Sequence, residues 1–148
     1  FMLEGEKQIF TAGERAEYPV IGTTYRVSEH WQSGAMTRNL PWLLELHPEM
    51  FVEMSEELAT LKGIKNGERV MAASARGKLE CTAIVTKRMQ PLQVAGTTIH
   101  QVGFPWCFGW QKPASGKEES ANLLTPSTGD PNTRIPETKA FMVNIQKM

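Results

Sequence analysis

Apolar residues recur along this chain in short runs that alternate with polar ones, and a period of two predicts strands. Leu79, Cys81, Ala83 and Val85 fall on one side of such a run, with Glu80, Thr82 and Thr86 on the other. Together with residues 70–74 and the intervening Arg76-Gly77 they predict a hairpin. Ile84 breaks the alternation and predicts a strand covered on both faces. Phe141, Val143 and Ile145 alternate in a last strand, and residues 51–54 make a short apolar one. Residues 18–27 read as a strand that Pro19 and Gly22 confine to an edge or a bend, and residues 94–102 as a further short strand pair.

Helical signals are few. Residues 40–46 (LPWLLEL) predict a short helix with Pro41 in its first turn. Ser55 is a candidate N-cap, Glu56 and Glu57 suit the positive end of a helix dipole, and Gly63 can close the helix. Leu58 and Leu61, three apart, predict its inward face. Asn66-Gly67 is a turn signal. Many short strands with few helices point to a mainly β chain and a β-barrel, with no internal repeat.

Two regions fit neither period. Residues 1–17 are polar and weakly patterned, as expected of a tether or edge segment, leaving 18–148 as the domain. Residues 109–139 form a polar stretch rich in Gly, Pro, Ser, Thr and Asn, and loops of that length in a compact domain are functional or disordered. The start at Phe1 suggests a piece of something longer.

Composition narrows the function classes. At 148 residues, 41% hydrophobic, the chain is long enough for one packed core. Lys+Arg and Asp+Glu both number 16, so the excess positive charge of a general nucleic-acid binder is missing. No run approaches the roughly 20 apolar residues of a membrane span, so no direct membrane insertion is expected. Cys81 and Cys107 are expected as free buried thiols. His30, His47 and His100 are too scattered for a zinc spacing, and CxxC, GxGxxG, P-loop and GxSxG motifs do not occur. No catalytic or metal-ligating residue is therefore assigned.

One stretch stands out. Residues 23–39, TTYRVSEHWQSGAMTRN, crowd hydroxyls, two arginines, a histidine, a tryptophan and an asparagine together. Arg26 and Arg38 can hold oxyanions bidentately, hydroxyls and backbone N–H groups can complete an anion site, and Trp31 offers an aromatic face. Asn122, Thr125, Asp130, Asn132 and Lys139 add groups of similar kind. Amides and carboxylates read the edge of a heterocycle while cations hold its phosphates, so a polar, phosphorylated small molecule is the ligand class favoured.

TTYRVSEHWQSGAMTRN, PEMFVEMSEELATLKGIKNGERV, SARGKLECTAIVTKR and ANLLTPSTGDPNTRIPETKAFMVNI together resemble the C-terminal domain of molybdopterin-dependent oxidoreductases. The match is nearest to the alpha subunits of formate dehydrogenases, and nitrate reductases share part of the first motif. The resemblance implies a double-psi β-barrel covering a bis(molybdopterin guanine dinucleotide) cofactor of molybdenum or tungsten. By the same resemblance Thr24, Arg26, His30, Trp31, Ser33, Gly34, Met36 and Thr37 line the pterins, and Asn122 and Lys139 touch the cofactor. It implies as partners the remaining domains of the alpha subunit and iron–sulfur and cytochrome subunits, in a bacterial periplasm or cytoplasm. The metal-ligating residue, the catalytic histidine and the cluster cysteines would lie in those other domains, so the chain alone is expected not to turn over. Where the family often has a histidine, this chain reads PWCFGW, with Cys107 or a neighbouring aromatic in its place. The alternative readings are a stand-alone barrel that binds a nucleotide or a protein without catalysis, and the same domain of a nitrate reductase-like enzyme.

Overall fold

The computed structural model describes residues 13–108, 120–127 and 129–148, so most of the expected 1–17 tether and residues 109–119 of the long loop lie outside the described residues. In chain order the strands are β1 (Val20–Tyr25), β2 (Phe51–Met54), β3 (Arg69–Ala73), β4 (Lys78–Val85), β5 (Leu92–Val94), β6 (Thr97–Ile99), β7 (Gln101–Pro105) and β8 (Phe141–Lys147). Six of them close into a barrel in the order β1-β7-β2-β4-β3-β8. The pairs β1–β7 and β2–β4 are parallel and the other neighbours antiparallel, which is the double-psi β-barrel arrangement.

Alternation decides what faces inward. Val20, Gly22 and Thr24 of β1, Val70 and Ala72 of β3, Leu79, Cys81 and Ala83 of β4, and Phe141, Val143 and Ile145 of β8 are buried, and their neighbours are not. Burying each Val, Leu, Ile or Phe of this set contributes about 1.5–3 kcal/mol, and closure leaves no unpaired barrel edge. Gly103 of β7 is glycine for a steric reason: a Cβ there would lie 2.4 Å from the Tyr25 ring.

Helix α1 (Pro41–Leu46) begins with its proline as expected, yet buries none of its residues. Helix α2 (Glu56–Lys62) is capped by Ser55, whose Oγ accepts from the Leu58 amide at 3.1 Å, and is closed by Gly63 in the left-handed region at φ 64°. Leu58 is buried, but Leu61 is 70% exposed, against the expected shared face. The left-handed cap accounts for this: it turns Ile64 back so that the Ile64 amide donates to the Ala59 carbonyl and Ile64 is buried in the core.

Three further expectations change. Ile84 is half-buried along with Glu80 and Thr82, so the outer face of β4 stays partly open rather than covered. The strand pair expected in residues 94–102 is present with shifted bounds. β5 and β6 form a small separate hairpin turning at Ala95-Gly96, and β7 enters the barrel on its own. Residues 120–127 and 129–136 also carry local structure. A 3-10 turn at Ala121–Leu123 is capped by Ser120 and followed by buried Leu124, and Gly129 bridges Pro136. Among the described residues no helix is long and apolar enough to cross a membrane.

Candidate functional site

The barrel brings two loop systems together at the end where β1 and β7 finish. Between them lies a cavity of about 660 Å³ lined by Arg76, Trp106, Asn122, Thr125, Pro126, Ser127, Gly129, Arg134, Ile135, Pro136 and Thr138. A second, of about 340 Å³, is lined by Ser33, Ala35, Trp106, Phe108, Ser120, Ala121 and Asn122. Trp106 and Asn122 line both, so the two spaces meet across one aromatic ring and one amide.

Each wall has a local cause. Arg76 sits at the tip of the β3–β4 hairpin, where Ser74 Oγ accepts from the Arg76 and Gly77 amides, and its guanidinium donates to Ser127 Oγ at 2.6 Å. Asn122 is exposed in the short 3-10 turn, while Leu124 (buried) and Leu123 (half-buried) fix that turn to the core. Arg134 belongs to a loop that holds its own shape. Asp130 Oδ1 accepts from the amides of Asn132 and Thr133 and from the Thr133 hydroxyl, and these bonds hold its carboxyl below the ordinary range. Asp130 is thus committed to its turn.

The motif of residues 23–39 divides into two groups. Thr24 is buried and its hydroxyl donates to the Thr138 carbonyl at 2.9 Å; the Lys139 ammonium donates to the Thr24 carbonyl. His30 is buried, with Nδ1 3.1 Å from Thr37 Oγ1, which also accepts from the Trp31 amide. Burial first, then the neighbouring Arg38 and His47, lowers the His30 pKa from its ordinary value, against Glu29, so the ring is held neutral. Its Nε2 is buried with no hydrogen-bond partner among the described residues. Gly34 takes φ 79°, and a Cβ there would lie 2.6 Å from the Cys107 carbonyl, so only glycine lets this loop approach the 105–108 segment. Arg38 is buried over the Phe108 ring, 4.5 Å from its centroid, and is part of the packing. Arg26 lies over Trp106 at 5.8 Å, and Trp31 and Met36 are 60% and 65% exposed. Of the ten residues named from the motifs, Ser33 and Asn122 line the cavities directly.

Sequence reasoning passed over Arg76 and Arg134, and touched Trp106 only as an unnamed aromatic beside Cys107. The PWCFGW segment does stand at the site, through Trp106 rather than its cysteine. Cys107 is fully buried, and burial pushes its thiol up to about 11, which keeps it protonated. Cys81 and Cys107 are both buried and not disulfide-bonded, as expected. Among the described residues no group of His, Cys, Asp and Glu could hold a metal ion.

These donors fit a nucleotide-like ligand. Two guanidiniums match phosphate oxygens, an amide can both donate to and accept from a purine or pterin edge, and an indole gives a stacking face. The family model "Molydopterin dinucleotide binding domain" matches residues 20–142. The formate dehydrogenase subunit alpha of Megalodesulfovibrio gigas is 63% identical over 130 residues, covering 88% of this chain and 13% of that protein. Formate dehydrogenase 2 subunit alpha (cytochrome c-553) of Nitratidesulfovibrio vulgaris is 50% identical over 131 residues, again 88% and 13%. The chain therefore spans about 13% of the length of these relatives. Among solved structures, acetylene hydratase from Pelobacter acetylenicus superposes with a TM-score of 0.69 at 16% identity, covering 90% of this chain and 19% of that one, a likeness of fold.

Proposed function

Because the chain belongs to the molybdopterin dinucleotide binding domain family, we propose that it holds the dinucleotide of a molybdopterin guanine dinucleotide cofactor within a formate dehydrogenase alpha subunit. The observation that carries the reading is the pair of cavities meeting at Trp106 and Asn122, with Arg76 and Arg134 on the wall of the larger one. In this reading the two guanidiniums hold the diphosphate. Asn122 and Ser33 bond the polar edges of the base or pterin, and Trp106 stacks on a ring.

When bound, the cofactor supplies the redox-active metal at which formate is oxidised. The chain's own residues bind the dinucleotide, orient it and exclude water from one side of it. Thr37, His30 and Gly34 act behind this surface, keeping the 31–39 loop against residues 105–108. The 13% share of the relatives' length supports a domain of a larger subunit; its C-terminal position, and that subunit's other domains and electron-transfer subunits as partners, are part of the proposal.

Asn122→Leu tests the assignment in the longer protein. The leucine keeps similar volume but strips both amide functions, leaving cofactor groups unpaired at a cost of about 1–3 kcal/mol. Metal and pterin content per polypeptide is expected to fall while the melting temperature of the domain holds, since Asn122 is exposed and its side chain supports no contact in the core. Full cofactor occupancy in the variant would return Asn122 to the role of a turn former.

A further inference from the structure

Thr24 and Lys139 come from elements far apart in sequence and bond each other's segments reciprocally. The Thr24 hydroxyl donates to the backbone carbonyl of Thr138, and the Lys139 ammonium donates to the backbone carbonyl of Thr24. The β1–β8 ladder explains why these bonds fall there. It pairs Val20 with Val143, Ile21 with Met142 and Gly22 with Phe141, and then stops. Past Gly22, β1 keeps its partner β7 on one side, where the Tyr25 carbonyl accepts from the Trp106 amide. Successive carbonyls of a strand alternate in direction, so the Thr24 carbonyl faces the side that β8 has left. The Lys139 ammonium fills that vacant partnership, and the Thr24 hydroxyl adds a second bond to the same departing segment.

The segment so held carries one wall of the larger cavity. Residues 129–136 close on themselves through the Gly129–Pro136 bridge, the Asp130 turn and the Arg134 amide donating to the Asp130 carbonyl at 2.8 Å. Gly129, Arg134, Pro136 and Thr138 all line the cavity. A loop rigid within itself still needs its base fixed to aim Arg134. We infer that Thr24 and Lys139 are positioning residues, a side-chain latch that extends the β1–β8 seam and sets the Arg134 loop against the cavity. This rests on the proposed dinucleotide site and reassigns two residues that the family resemblance placed on the cofactor itself.

The test separates the latch from direct contact. Thr24→Val and Lys139→Met remove one bond each, and Thr24→Ser keeps the hydroxyl. Amide hydrogen exchange is followed in the cofactor-free protein, where no ligand contact contributes. Exchange at residues 133–138 is expected to accelerate at least several-fold in Thr24→Val and Lys139→Met, with the β3–β4 hairpin unchanged and Thr24→Ser near wild type. In cofactor-loaded protein, the first two variants should lose pterin faster, and Thr24→Ser should retain it. Unchanged loop exchange, with or without faster cofactor loss, would overturn the latch. So would acceleration spread equally through the hairpin, since that marks a general loss of stability. The exchange measurement involves no cofactor, so it decides for or against the latch even where the dinucleotide reading fails.

Discussion

Single residues show how closely chemistry follows burial here. Glu53 lies in a strand whose four positions are all buried, which would be costly for a bare carboxylate. The Tyr25 hydroxyl donates to it at 2.7 Å and Arg88 Nε at 3.0 Å, so the charge is bonded from both sides. Burial and this hydrogen bond push the Tyr25 phenol well above its ordinary range. Cys107 is the simpler case, an apolar enclosure raising a thiol from 9.0 to about 11. Iodoacetamide at about pH 8 is therefore expected to modify Cys107 slowly in the folded chain and rapidly after denaturation, because the thiolate is the nucleophile. Peptide mass mapping of the alkylated chain reads this, and equal labelling in both states would contradict the enclosure. The sign for stability follows: a folded pKa above the unfolded one contributes fully below about pH 9 and is lost as pH climbs through about 11.

At the scale of elements, local signals were legible where one short segment carried the whole cause. Ser55, Glu56, Glu57 and Gly63 announced α2, and its cap, acidic first turn and left-handed close are all present. Ser55→Ala is expected to cost about 1 kcal/mol, seen as a melting temperature lower by about 2–4 °C, because it orphans the Leu58 amide. Ser55→Asp, which keeps an acceptor, should recover most of that, and an unchanged melting temperature in Ser55→Ala would deny the cap any weight. The strand pair expected in residues 94–102 is present but shifted to β5 and β6, and the separate barrel strand β7 that follows was not foreseen. Glycine at 103 is what lets β7 pass under the Tyr25 ring while it pairs with β1. The cavity was not foreseen either. Arg76, Trp106, Asn122 and Arg134 have no common period, and only barrel closure brings their loops to one place. Residues 23–39 were visible because their polar groups are neighbours in sequence, but half of that polarity proved to be internal wiring, as His30, Thr37 and Arg38 show.

The molecule as a whole is finished on one side and bare on another. Its barrel core is closed, yet Trp31, Met36, Leu40, Trp42 and Leu46 are exposed within sixteen consecutive residues, Trp42 by 64% and Leu46 by 63%. Helix α1 is the sharpest instance: PWLLEL is almost wholly apolar, and none of its residues is buried. Scattered exposed leucines are ordinary, but a contiguous run of large apolar side chains marks a surface that something covers. The chain spans about 13% of its relatives' length, so the covering surface is expected to be another domain of the same longer polypeptide. Hydroxyl-radical footprinting of that longer protein checks this, with each rate normalised to the intrinsic reactivity of its side chain. Trp31, Met36, Trp42 and Leu46 should be protected several-fold, whereas Leu61, 70% exposed on the outer side of α2, should react as a free side chain. Protection that appears only at high protein concentration would instead place a second copy on this face. Trp42 as reactive as Leu61 at every concentration would mean that the apolar face of α1 meets only water.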